Sequence, residues 1–478
     1  MPRSANTIMQ SDEARPTTRR CPSVKRILID CSSTITCEFN SGIQRVVRSL
    51  CQQGAKHPST IEFIPVHGNQ GRYYKAESLW PTRQNRKDWL SHLTNGRLAS
   101  FYRKTAASIH RRFPNKKFKK LFLPEKGHAG IFKVPKLAIQ GLERMVKTRV
   151  NASRRRNLEI IIHEGDVLLL ADASWEQPNW DCIESARAQG ALIGNLIYDL
   201  IPITHAHFFQ SILADRFARW FDRAIAEGDF FLCISECVAQ QMRDQMIRMG
   251  KPHDHARQVC LGFPLGSDLK TWDVAEVSDQ FKAIFRNDRQ TNPHFVVGTI
   301  EPRKNHTFIL EAFEKLWQSG SQERLCIAGR IGWNCNELAA RILNHAEFNK
   351  KLFMCNQASD ADIGFGYQNA KSLIMASHTE GFGLPIVEAL ALRQTVLASD
   401  TPIHREVGAD SVRYFKIDAD CDTLVDAINT LAAQNISPSS GRSKYSATPW
   451  SESYDKVVSL IVEIAHYLDT AQPISQAG

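Results

Sequence analysis

Short apolar runs that end in small or polar residues recur along this chain, and segments of helical periodicity follow them. The first is VKRILIDCSS (Val24–Ser33). After it comes NSGIQRVVRSLCQQ, with Gly42 at a turn and Ile43, Val46, Val47 and Leu50 at helical spacing. TIEFIPVH (Thr60–His67) is the next strand. Strand, turn, helix, strand opens a doubly wound sheet. The series resumes with DVLLLAD (Asp166–Asp172), ALIGNLIYDLIPI (Ala191–Ile203) and DFFLCISECVAQQM (Asp229–Met242), and QVCLGFPLGSD (Gln258–Asp268) closes it. A second series starts at HFVVGTIEPRKNHTFILEAFEKL (His294–Leu316). RLCIAGR (Arg324–Arg330), KSLIMAS (Lys371–Ser377) and TVLASD (Thr395–Asp400) continue it, and the amphipathic YDKVVSLIVEIAHYL (Tyr454–Leu468) ends it. The expected class is α/β, with two Rossmann-like doubly wound domains facing across a cleft.

A length of 478 residues is too great for one ordinary core and fits this division. The expected organisation is a disordered tail over 1–23, a first domain over 24–285 and a second over 286–450. A C-terminal helix and tail cover 451–478. No run of about 18 apolar residues occurs, so no membrane-spanning helix is expected. The first twenty-odd residues lack the apolar centre of a secretory signal. Twelve cysteines are scattered with no Cys-x-x-Cys pair, which argues for buried thiols in a reducing cytoplasm rather than a disulfide framework or zinc site.

Residues 81–158 break the pattern. Between Arg83 and Arg156 stand 21 Lys or Arg against three acids, an excess larger than the whole chain's net charge of +10. VPKLAIQGLERMV, beginning near Pro135, has the spacing of an amphipathic helix. Three readings are open for this insertion: a solvated face, an anionic membrane surface, or nucleic acid. No recognised nucleic-acid module accompanies the charge, so no nucleic acid is expected.

Two constellations carry chemistry. In HTEGFGLPIVEAL (His378–Leu390) the glycine turn that follows the buried strand KSLIMAS leads into a helix with Pro385 in its first turn, where no N–H is needed. Exposed amides at such a helix start suit a phosphate. Glu388 lies one turn in, among apolar neighbours, and needs a partner there, for which ribose hydroxyls are suitable donors. From these residues alone, Glu388 as a solvated charge and Glu380 as a capping residue are equally open. In GTIEPRKNH, Arg303 and Lys304 sit on a strand-to-helix loop where a pyrophosphate needs cations, with Asn305 placed to cap the helix that follows. A lone Arg-Lys pair is otherwise a solvated basic loop.

Together these motifs resemble glycosyltransferase family 4, the group 1 retaining transferases of GT-B fold. The likeness rests on Glu380 and Glu388 around GFGLPIV, on the PRKN loop, on PLGSD and on SGIQRVVR, which is similar to the form in enzymes of bacterial surface polysaccharide assembly. It covers Val24–Gln70 and Asp166 to the C-terminus. The resemblance implies that Glu380 contacts donor-sugar hydroxyls and that the amides of Gly381, Phe382, Gly383 and Leu384 hold sugar and phosphate. It also implies that Glu388 binds ribose, that Arg303 and Lys304 neutralise the diphosphate, and that Gly42 lets the first loop approach it. Asp199 or His205 would lie near the reacting carbon. Tyr198, Thr299 and Arg393–Gln394 depart from the family's usual residues.

The resemblance further implies a metal-independent hexosyltransferase without a cofactor. It would move a hexose such as mannose from a nucleotide-diphosphate sugar to a lipid-linked surface glycan, in the cytoplasm or at the inner face of its membrane. A non-catalytic scaffold with a degenerate fold and a basic membrane-binding module are the competing readings. Asp418–Asp422 (DADCD) has a metal-binding spacing, but a helix start fits it better. His205/His207 and His253/His255 lack a third zinc ligand. GFGLPI has Ile386 where a dinucleotide motif needs a small residue.

Overall fold

The computed structural model describes residues 24–37, 42–57, 61–80, 158–176, 178–267, 274–286, 291–418, 420–433 and 445–470. The tail over 1–23, nearly all of the basic insertion with its amphipathic segment, and Asp268 of the PLGSD turn lie outside them.

The first sheet has eight strands: β1 (Arg26–Asp30), β2 (Glu62–Asn69), β3 (Arg72–Lys75), β4 (Glu159–Ile160), β5 (Asp166–Leu170), β6 (Leu192–Ile197), β7 (Phe230–Cys233) and β8 (Cys260–Gly262). Their order is β4-β3-β2-β1-β5-β6-β7-β8. β3 and β4 are antiparallel additions at one edge, and the remaining pairs are parallel. β5 is buried along its whole length, as a parallel strand covered on both faces must be. Alternation sends Ile27, Ile29, Val167 and Leu169 to one core, and Leu28, Leu168 and Leu170 to the core on the other face.

The second sheet has six strands, all parallel: β9 (His294–Val297), β10 (Leu325–Ala328), β11 (Leu352–Cys355), β12 (Leu373–Met375), β13 (Val396–Ser399) and β14 (Arg413–Phe415). They stand in the order β11-β10-β9-β12-β13-β14. The chain runs outward from β9 to β11 and then crosses back to place β12 on β9's other side. The loops after β9 and β12 therefore diverge at the sheet's carboxyl edge and leave a crevice between them. Those loops carry Arg303–Lys304 and Glu380–Gly383.

The helices that frame the cleft are α1 (Gly42–Lys56), α2 (Ile201–Thr204), α3 (Ser211–Glu227), α4 (Glu236–Arg248), α5 (His306–Gln318), α6 (Asp360–Asn369), α7 (Leu384–Ala391) and α8 (Pro402–Gly408). A last helix, α9 (Trp450–Thr470), returns to the first half of the molecule and packs on α1. Ser453 Oγ donates to the Pro264 carbonyl at 2.9 Å, Ser267 N donates to the Thr448 carbonyl at 2.8 Å, and the Tyr454 ring meets Phe63 edge-on at 5.2 Å. Val457, Leu460, Ile461 and Ile464 are buried, each contributing about 1.5–3 kcal/mol in apolar transfer. This helix straps the second half of the chain onto the first.

Candidate active site

The loop after β9 starts at Gly298, just past the strand, and tightens into a single turn, Pro302–Lys304, before α5. Asn305 does not cap α5 with its side chain, contrary to the sequence-based expectation. It adopts a left-handed conformation at φ 56° and turns the chain from that tight turn into the helix. Asparagine tolerates this conformation better than most residues. The turn holds the side chains of Arg303 and Lys304 against the loop after β12.

There the two loops interlock. Arg303 Nη1 donates to Glu380 Oε2 at 2.5 Å and to the Thr379 carbonyl at 2.8 Å, while Nη2 donates to Glu301 Oε1 at 2.6 Å. Lys304 Nζ donates to the other oxygen of Glu380. The His378 amide donates to the Arg303 carbonyl at 2.9 Å. Glu301 and Glu380 are buried at 5% and 8% exposure. Burial by itself would raise the pKa of Glu380, but the charges of Arg303 and Lys304 outweigh it and hold the carboxyl far below its ordinary range. Burial pushes the Lys304 ammonium down, and Glu380 opposes that shift. An ammonium has three donors and a guanidinium five, so each cation keeps N–H groups beyond those given to carboxylates.

The turn itself is shaped for an anion. Gly383 stands at φ 93° and precedes α7, with Pro385 in the first turn as the sequence suggests. Among the described residues, the amides of Gly381, Phe382, Gly383 and Leu384 donate to no protein acceptor. They lie at the positive end of an eight-residue helix.

The first half of the molecule grips this turn. A Cβ on Gly381 would come within 2.1 Å of the Tyr198 carbonyl oxygen and 3.3 Å of Asp199 Cβ, so only glycine fits. Ser235 Oγ, which also caps α4, donates to the Gly381 carbonyl at 2.8 Å. Glu406 of α8 reaches across and accepts from the amides of Glu236 and Cys237 at 2.7 and 2.8 Å, satisfying free donors at the start of α4. The Tyr198 hydroxyl turns away to the Ala171 carbonyl at 2.6 Å.

Asp199 lines the cleft, accepts from the Ile201 amide at 3.1 Å and faces the ion cluster. Burial raises its pKa, with Arg303 pulling the other way. His205 does not line this cavity. It lies in a cluster with His207 and Phe208, and Phe208 stacks on His378 at 5.3 Å, two residues before Glu380. Trp333 Nε1 donates to the Phe208 carbonyl at 2.8 Å, a further contact between the halves.

A cavity of about 540 Å³ lies between the halves. Gly42, Asp199, Arg303, Lys304, Glu380, the Gly381–Leu384 turn and Glu388 all border it. The expected partner of Glu388 is present within the protein. Arg45 of α1 forms an ion pair with Oε1, and the Tyr367 hydroxyl of α6 donates to Oε2 at 3.0 Å. Thr299 also borders the cavity.

Sequence reasoning missed Glu301, Ser235, Arg45, Tyr367 and Glu406. Glu301 carried a signal, since it stands two residues before Arg303. Arg45 lay in the SGIQRVVR stretch, but nothing in a single sequence pairs it with a carboxylate 343 positions away. Asp422 begins a helix over Asp422–Ala433 and pairs with Lys315, as a helix start rather than a metal site. No group of three His, Cys, Asp or Glu side chains suited to a metal occurs among the described residues.

Two mainly parallel sheets with a nucleotide-sized cleft at their facing carboxyl edges define the GT-B architecture of glycosyltransferases. Residues 277–446 match the family Glycosyl transferases group 1. The chain is 31% identical over 264 residues to the serotype-specific mannosyltransferase WbdA of Escherichia coli, a match covering 54% of this chain and 32% of WbdA. It is 28% identical over 160 residues to the O-antigen chain mannosyltransferase RfbU of Salmonella typhimurium, covering 32% of this chain and 44% of RfbU. The chain thus spans under half the length of these relatives. The crystal structure of Anabaena Alr3699/HepE in complex with UDP and glucose superposes with a TM-score of 0.50 at 14% identity, over 94% of this chain and all of that one. That likeness is one of fold.

Proposed function

We propose that this protein is a retaining glycosyltransferase that moves a hexose, in the first instance mannose, from a nucleotide-diphosphate sugar to a growing surface glycan carried on a lipid. The observation that carries the reading is the meeting of Arg303, Lys304 and Glu380 with four unbonded amides of one helix start at the edge of an interdomain cavity. The names of the mannosyltransferase relatives support the sugar and the glycan.

The chemistry follows from charge. Cleaving the bond between the sugar's anomeric carbon and the phosphate oxygen leaves negative charge on the diphosphate and positive charge on the sugar. The remaining N–H donors of Arg303 and Lys304 and the amides of Gly381–Leu384 receive the first as it forms. Glu380, held ionised, faces the sugar and hydrogen-bonds its hydroxyls. The departing phosphate oxygen takes the acceptor hydroxyl's proton as the acceptor's own oxygen bonds the carbon on the face the phosphate leaves, so no protein base and no metal enters the step. Asp199 lies beside the reacting centre, Gly42 borders the diphosphate, and Glu388 takes the ribose. The basic insertion is assigned to an anionic membrane surface, where a lipid-linked acceptor resides. Among the described residues no helix is long and apolar enough to cross a membrane.

The test is a panel of nucleotide sugars incubated with purified protein, followed by release of nucleoside diphosphate. Turnover of one sugar that falls at least about 100-fold in Lys304→Met supports the reading. No turnover or binding across the panel contradicts it.

A further inference from the structure

Both oxygens of Glu388 are engaged by protein donors, Oε1 by Arg45 and Oε2 by Tyr367. Tyr367 belongs to the same half of the molecule as Glu388, on α6, and is buried. Arg45 comes from the opposite half, on α1, and both it and Glu388 border the cavity. A ribose cis-diol binds a carboxylate by giving one hydroxyl to each oxygen. Each oxygen keeps one lone pair beside its protein donor, and the Arg45 guanidinium crowds Oε1 within the same cavity.

We infer that Arg45 competes with the nucleotide ribose for Glu388 and acts as a positioning residue of the donor site. This rests on the proposed role of Glu388. The guanidinium occupies the place of one ribose hydroxyl, so the diol reaches Glu388 only when Arg45 turns aside. An alternative partner stands close by: Asp360, the first residue of α6, borders the same cavity and acts electrostatically on Arg45. The side chains of Arg45 and Glu388 keep 31% and 21% exposure, so the pair is wet enough to open. Because the pair joins the two halves, ribose binding exchanges a contact between the domains for a contact to the ligand. Ligands without a ribose do not meet this competition.

The experiment is a calorimetric titration of the full chain and of Arg45→Met with UDP, GDP and inorganic pyrophosphate. Pyrophosphate corrects for the cation removed from the cavity, since it needs the diphosphate site and not Glu388. The expected result is that the preference for nucleoside diphosphate over pyrophosphate rises roughly three- to tenfold in Arg45→Met. Arg45→Gln, near in shape, should show the same rise if the Met variant fails to fold. An unchanged or smaller preference in both variants overturns the competition. A Glu388→Ala variant that binds nucleoside diphosphate as well as the wild-type protein does overturns the ribose role itself. Wild-type protein that binds neither probe overturns the proposed function along with it.

Discussion

Arg303 and Glu380, 77 positions apart in the chain, meet at 2.5 Å where the loops after the first and fourth strands of one sheet diverge. One guanidinium fork ties Glu380, Glu301 and the Thr379 carbonyl together, and so fixes the carboxylate before any substrate contact. Lysine has no such fork. Arg303→Lys should therefore keep the charge yet lower kcat by about 10–100-fold, with a smaller change in donor KM. Steady-state kinetics with the active nucleotide sugar check this.

Glu380→Gln leaves two half-buried cations facing a neutral amide. Removing one partner of a buried ion pair costs about 3–5 kcal/mol. The variant should melt well below the wild-type protein near neutral pH and should also lose turnover. Thermal unfolding followed by circular dichroism measures the first effect independently of the second.

Gly381→Ala should abolish the proposed transfer while leaving each half folded. Its new methyl group meets the backbone oxygen of Tyr198, which cannot rotate away, so the halves must separate. Small-angle scattering should show a more open particle, and activity should fall at least about tenfold.

Glu406→Ala removes the carboxylate that caps α4 from across the cleft. Loss of a cap costs about 0.5–2 kcal/mol, here charged mostly to closure. Donor KM should rise several-fold with kcat less affected.

Much of this was legible in the sequence, for physical reasons. Parallel strands buried on both faces read as apolar runs, so β1, β5, β7, β9 and β12 were visible. The loops after β9 and β12 were visible because phosphate chemistry needs glycine, cations and a helix start together. Strands at or next to the sheet edges were harder. β3 (RYYK), beside the two-residue edge strand β4, and β14 (RYF), at the edge of the second sheet, carry arginine and tyrosine, and neither shows an apolar run. Partners across the cleft were hidden as well. Arg45, Ser235 and Glu406 act on residues that only the folding of two domains brings near. Asn305 misled because asparagine serves both as a helix cap and as a left-handed corner, and sequence does not separate the two.

Glu323 gives a prediction about acid stability. It is hydrogen-bonded to His294 at 3.1 Å and paired with Lys371. Burial alone would raise its pKa, but His294 and Lys371 bring it down from 4.5 to about 2. A depressed folded-state value means a stabilising contribution that is fully present above pH 4.5 and lost as pH falls towards 2. The melting-temperature gap between wild type and Glu323→Gln should be constant above pH 5 or so and close as the solution is acidified. A gap that widens in acid would reverse the assigned sign.

The central claim is that a nucleotide's diphosphate is received between the Arg303–Lys304 loop and the amides of Gly381–Leu384. A crystal structure with bound nucleoside diphosphate tests it most directly. The account predicts phosphate oxygens within hydrogen-bonding distance of Lys304 Nζ and at least one of those amides, with the ribose on Glu388. A nucleotide seated elsewhere, with that helix start and Lys304 untouched, would contradict it.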